Sequence, residues 1–240
     1  MRKIKVQGLF VVATLTLCMV VVSAHAQTYS DLYNFGDASG DPLNPQYSGI
    51  IARVMATFTA RLRQAEARGL GTVFNITAQG AMSVLYNFDG THGKFPYGGL
   101  TLGTDGNFYG TTSVGGSTNL GVIFKITRAG ALTVLHTFAS GDGITPYAPP
   151  IQAADGNFYG TTAFGGASGY GAVYKIMPTG AYTVLHSFDL TNGSRPFGPL
   201  VQGNDGNFYG TAYGGVGTTD MASYSKLPAT ERLPSSTLST

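Results

Sequence analysis

Cysteine is almost missing from this chain, and the single one, Cys18, lies in an apolar stretch near the N-terminus. Beyond that stretch there is no thiol, which excludes disulfides and thiolate metal sites. Tryptophan is absent and charged residues make up only 11% of the 240 residues. Glutamate occurs twice, at Glu66 and Glu231, so a paired-carboxylate acid–base site has little to draw on. No His-x-x-x-His or Cys/His pattern is present, which removes the common zinc arrangements. There is no Gly-x-Ser-x-Gly elbow, and no Gly-Lys-Ser/Thr follows any of the Gly-Gly pairs, so neither a serine-hydrolase turn nor a phosphate loop is encoded.

Long hydrophobic runs are missing too, with one exception. Leu9 to Val22 is apolar over fourteen residues, short for a membrane-spanning helix. Arg2, Lys3 and Lys5 precede it, and Ala24-His25-Ala26 follows as a small-x-small site. That order is an export signal cleaved before Gln27. An uncleaved anchor is the second reading. Cys18 lacks a small residue just before it, which argues against a lipoprotein site.

What the chain has in abundance is glycine, 35 residues, with 14 Tyr and 14 Phe. Aromatic content of this order argues against disorder, and its pairing with Gly and Thr fits strands joined by tight turns. The pattern is periodic. Asp-Gly-Asn-Phe-Tyr-Gly begins at Asp105, Asp155 and Asp205, fifty residues apart each time. GTVFNIT from Gly71, GVIFKIT from Gly121 and GAVYKIM from Gly171 recur in phase. So do MSVLYNF, LTVLHTF and YTVLHSF from Met82, Leu132 and Tyr182, and FPYGGL, TPYAPP and RPFGPL from Phe95, Thr145 and Arg195. Each unit reads as four short strands, rich in β-branched and aromatic residues and bounded by Gly, Pro or Asp. Asp-Gly-Asn joins strands one and two. Gly80, Gly130 and Gly180 serve the turn between strands three and four. Four strands in about fifty residues is the size of a propeller blade and too long for a β-helix coil. The expected fold is all-β, a tandem array of four-stranded units forming a β-propeller, with about three full units and partial ones at each end. Asp31 to Phe35 (DLYNF) reads as an isolated fourth strand that can close a ring by pairing with the last blade.

The run DGNFYGTT…GG…GTVFKIT…G…TVLHSF resembles the GloVer tandem repeat of exported "choice-of-anchor" bacterial proteins, over residues 71 to 216. A weaker resemblance runs to kelch and two-component-regulator propellers. The resemblance implies a secreted or surface protein, often with a C-terminal anchor, and assigns no catalytic residue to the repeat.

Two stretches break the period. Where it calls for a strand-two motif, residues 52–66 read ARVMATFTARLRQAE. Taken alone this is a basic amphipathic helix. Back-translation in a shifted phase, joining each third base to the next two, allows AGDGNFYGTTSAGG, the missing motif in place. From Gly217 the tail reads GTTDMASYSKLPATERLPSSTLST, and the same shift allows NYGYGVVFKATGNGALTVLHSFD. We read residues 52–70 and 217–240 as translated out of frame. The domain reading is therefore a signal peptide over 1–26, the repeat array over 27–216, and the out-of-frame tail. Six of the 14 Lys and Arg lie in these stretches and three in the signal. The remaining five cations stand against nine Asp, so the array is acidic, and the chain's pI near 8.6 is no evidence for nucleic-acid binding.

Several residues invite a site reading. Asp105, Asp155 and Asp205 stand beside Gly in hairpin turns of different units, which makes them turn formers. A calcium loop needs several oxygens at alternate positions. His136 and His186 take the place of Tyr86 and read as packing or half-buried polar groups, while His92 stands alone in a loop. No catalytic, metal or cofactor residue is assigned. The tight turns hardly vary between units, whereas the loops joining strands two to three and four to one do. In a propeller those loops share a face, and function gathers on variable loops over a rigid scaffold. The candidate ligand face therefore comprises Tyr97, Tyr147, Phe164, Tyr170, Phe197 and Tyr213. Exposed aromatics there suit carbohydrate or protein partners, although Tyr97, Tyr147 and Phe197 can equally pack between blades. The expected function is a non-enzymatic exported binding module with no nucleic-acid partner and no membrane span once the signal is removed. The alternatives are a secreted propeller enzyme acting on polysaccharide and a non-functional fragment of a longer repeat protein.

Overall fold

The computed structural model of the protein describes residues 50–51, 56–60, 69–77, 79–191, 193–214 and 222–227, all within the compact unit Leu32–Thr240. The apolar N-terminal segment, DLYNF and most of the two anomalous stretches lie outside the described residues. No helix occurs among those described.

The fold is four antiparallel meanders in series. The first sheet holds β1 (Ile50–Ile51), β2 (Ala56–Ala60), β3 (Thr72–Ile76) and β4 (Met82–Asn87) in that order. The second holds β5 (Thr101–Leu102), β6 (Phe108–Thr112), β7 (Val122–Ile126) and β8 (Leu132–Thr137). The third holds β9 (Ile151–Gln152), β10 (Phe158–Thr162), β11 (Ala172–Ile176) and β12 (Tyr182–Ser187). The fourth has β13 (Val201–Gln202), β14 (Phe208–Tyr213) and β15 (Ala222–Leu227). Ala56–Ala60 thus takes the strand-two position of the first sheet, and Ala222–Leu227 the strand-three position of the last. The third and fourth strands of the first three sheets share one irregularity, a register shift at Val73/Phe74, Ile123/Phe124 and Val173/Tyr174.

The sheets are blades because they bury their faces on one another. Successive strand residues point to opposite faces, so the Phe and Tyr of Asn-Phe-Tyr-Gly serve different neighbours. Tyr109 faces forward and stacks on Phe158 of the next blade at 3.8 Å between centroids. Tyr159 repeats this with Phe208 at 4.1 Å. Each junction has its own core. Val73 and Phe88 meet Leu100, Phe108 and Phe124. Tyr109, Ile123 and Phe138 meet Phe158, Tyr174 and Ile176. Tyr159, Val173 and Phe188 meet Leu200, Phe208 and Ala212. Burying one such ring is worth roughly 1.5–3 kcal/mol, so the junctions rather than the isolated sheets hold the array together. The architecture is an all-β propeller array.

Polar latches fix the angle between blades. The Thr111 and Thr161 hydroxyls donate to the Ala148 and Gly198 carbonyls of the following blade, each at 3.0 Å. The Gln152 and Gln202 side-chain oxygens accept from the Thr104 and Ala154 amides of the preceding blade at 2.8 and 2.9 Å. The Asp residues of the one-to-two hairpins behave as the turn reading requires and do one thing more. Asp105 accepts from the Asn107 backbone and side chain, and also from the Tyr109 hydroxyl at 2.9 Å. Asp155 and Asp205 repeat the arrangement, and Lys175 lies 3.4 Å from Asp155. Burial works to raise the Asp105 and Asp155 carboxyls, and these hydrogen bonds with the neighbouring Lys outweigh it, leaving both below the usual range.

His92 is not alone. Its backbone N–H donates to Asp89 Oδ1, and its Nδ1 lies 2.8 Å from Oδ2. His136 is half-buried between blades. Its ring stacks on Tyr182 at 3.9 Å with the planes 1° apart, and its Nε2 lies 3.1 Å from Asp142. Burial pushes the His136 imidazole below its ordinary value, and Asp142 opposes this without cancelling it. A folded-state value below the unfolded one stabilises the fold above the unfolded pKa of about 6.5 and loses that contribution as pH falls through the folded value. The melting temperature is therefore expected to drop between about pH 7.5 and pH 5.5. The drop should shrink in His136→Tyr, the residue type the first blade carries as Tyr86. An equal drop in the variant, read by calorimetry, would assign the effect elsewhere.

Candidate ligand-binding face

The two variable loop classes meet on one face and are tied there by main-chain bonds. Lys94 and Val114 exchange hydrogen bonds, as do Ile144 and Phe164. In both pairs a four-to-one loop grips the two-to-three loop of the blade it leads into. The residue one step on is held from two sides. The Phe95, Thr145 and Arg195 amides donate to the Leu70, Leu120 and Tyr170 carbonyls of the preceding blade. Their own carbonyls accept from the Ser113, Ala163 and Tyr213 amides of the next. All three adopt a left-handed backbone, at φ 60°, 56° and 49°, immediately before Pro96, Pro146 and Pro196. For non-glycine residues this is costly, on the order of 1–3 kcal/mol each, and survives only where surroundings over-determine it. Here the two-sided clasp supplies that constraint. The Gly-Gly pairs belong to the same arrangement, since a Cβ on Gly115 would lie 2.7 Å from the Gly93 backbone and one on Gly165 2.9 Å from Gly143.

Two residues beyond each clasp stands an aromatic ring, and these rings touch in series. Tyr97 and Tyr147 have centroids 5.4 Å apart, Tyr147 and Phe197 5.3 Å, and Phe197 and Tyr213 6.3 Å. Phe95 adjoins the first of them at 6.5 Å. Tyr97 and Tyr147 are half-buried, while Phe197 is 42% and Tyr213 52% exposed. Burial, and then the proximity of Tyr97, push the Tyr147 hydroxyl up. The strip thus crosses from blade to blade, held by a backbone that cannot easily shift.

Four of the six residues named from the sequence come together here. The other two stand apart. Phe164 lies under the Arg195 guanidinium, 5.6 Å from it. Tyr170 is half-buried against the core between the third and fourth blades. Phe95, Thr145 and Arg195 were not singled out as site residues. A residue before proline is biased toward extended backbone, so the left-handed conformation found at these three has no signal in the sequence. The carboxylates of the four-to-one loops are engaged in their own turns, Asp89 with His92, Asp142 with His136 and the Ala139 amide, and Asp189 with Thr191. Among the described residues no group of three His, Cys, Asp or Glu is placed to hold a metal ion.

The model of the Gloeobacter/Verrucomicrobia repeat matches residues 45–231, most of the chain. The chain belongs to this repeat family. The matched span of this Gloeobacter/Verrucomicrobia repeat protein runs through residues 52–66 and into the tail. No curated protein matches it. Among solved structures it is similar to an X-ray structure of a candidate gluconolactonase, at 15% identity and a TM-score of 0.48. The likeness covers 79% of this chain and 66% of that one, so the repeat protein spans just under two thirds of its length.

Proposed function

We propose that this repeat protein is an exported, non-enzymatic binding module whose ligand lies on the face carrying the two-to-three and four-to-one loops. The aromatic strip Tyr97–Tyr147–Phe197–Tyr213 carries this reading: large rings, two of them substantially exposed, are set in series on a backbone clasped from both sides. Such preorganised rings offer contact area at little entropic cost. Export rests on the N-terminal order of cations, apolar run and Ala24-His25-Ala26. A binding rather than catalytic role is favoured because the acids of this face are engaged in turns and the sequence sets no nucleophile beside a base.

Replacing Tyr147 and Tyr213, two rings of the strip, together by Ala is the test. Ligand or surface binding should fall while the far-ultraviolet spectrum of the folded chain is retained. Unchanged binding with an intact fold would place the ligand elsewhere.

A further inference from the structure

We infer that the aromatic strip takes a neutral polysaccharide strand lying along it. This rests on the ligand-face reading above and narrows it. The rings touch one after another, with centroids 5.4 and 5.3 Å apart from blade to blade and 6.3 Å apart within the fourth, comparable to the length of one pyranose residue in an extended chain. Aromatic faces carry negative π density that attracts the polarised C–H bonds on a sugar face, and tyrosine adds a hydroxyl at the rim for the sugar's own hydroxyls.

The charge pattern selects a neutral chain. The segments that hold the strip, 97–100, 147–150 and 197–200, read YGGL, YAPP and FGPL and contain no acidic or basic side chain. The nearby cations are directed at other rings, Lys94 at Phe95 and Arg195 at Phe164. The repeat array outside the anomalous stretches carries more Asp than Lys and Arg, which opposes a polyanion. A protein partner is less well served, since a stable protein interface buries about 800 Å² on each side around a compact apolar centre, and only two of the four rings are substantially exposed.

The experiment is affinity electrophoresis of the mature chain in gels containing xylan, β-mannan or hydroxyethylcellulose, with polygalacturonate as the acidic control. At least one neutral polymer should retard the chain more than polygalacturonate does. Tyr147→Ala should weaken that retardation by about tenfold or more, as removal of a central anchor does, and Tyr147→Phe by about twofold at most. Tyr213→Ala removes the most exposed ring of the strip and should weaken it as well without disturbing a blade junction; melting curves of all three variants report on folding. No retardation by any neutral polymer overturns the polysaccharide assignment. Tyr147-dependent retardation by polygalacturonate alone also overturns it, while leaving the ligand face in place. Neutral-polymer retardation that survives both Ala variants in folded protein overturns the assignment and the face together.

Discussion

Gly171→Ala is expected to destabilise the protein by about 4 kcal/mol, a large share of the roughly 5–15 kcal/mol that holds a typical domain folded. Two costs coincide. Gly171 has φ +102°, a backbone that L-residues rarely adopt, and a Cβ there would land on the Thr162 carbonyl oxygen and 2.8 Å from Pro196 Cδ. A carbonyl in a sheet cannot swing aside as a flexible side chain can. Backbone strain of roughly 1–3 kcal/mol is added to an overpacking cost of similar size. The same residue matters to the junctions: the Gly171 carbonyl accepts from the Phe188 amide, and Pro196 beside it belongs to the clasp of the next blade. Chemical denaturation gives the number directly. A loss below about 1 kcal/mol would mean that the neighbouring blades yield where the clasp should hold them.

Tyr174→Phe is expected to do the opposite and stabilise the chain by about 1–2 kcal/mol. The equivalent residues of the two preceding blades are Phe74 and Phe124, and all three rings are buried in their cores. Only Tyr174 brings a hydroxyl, and that oxygen is fully buried with no hydrogen-bond partner among the described residues. Burial alone drives its pKa far upward, so it stays neutral and still lacks an acceptor. Removing the oxygen keeps the ring packing against Phe138 and Tyr182. The Phe variant should melt several degrees higher; a lower melting temperature would mean that the hydroxyl has a partner in solution, such as a trapped water.

Much of this architecture was legible in the sequence because the same residues recur at a fixed distance. The period set the blade, Phe-Tyr-Gly set strand two, and the Asp-Gly-Asn turns fell where they were expected. What a repeat cannot display is which position of one unit touches which position of the next. Tyr109 stacking on Phe158 joins two different places in the motif, and neither residue announces the other. The loop face was legible as a set of variable loops. That four of its aromatics touch in series, while Phe164 and Tyr170 turn to other tasks, depends on the angle between blades, which Thr161 and Gln152 help to set. The left-handed residues before proline were hidden for the opposite reason: Phe95, Thr145 and Arg195 share no chemistry, and only their backbone is alike.

The latches between blades carry a further consequence for how such a chain can change in length. Gln152 reaches Thr104 and Gln202 reaches Ala154, each across 48 residues, and Thr111 and Thr161 each reach across 37. Every one of these spans is counted within the repeat, so each blade recognises only its immediate neighbours. Gaining or losing a whole fifty-residue unit leaves every surviving junction with its partners at the same separation. Gaining or losing one residue inside a strand moves every latch on that blade out of step. The protein is therefore tolerant of large edits and brittle to small ones, and its lineage can vary the number of blades far more freely than the length of any one.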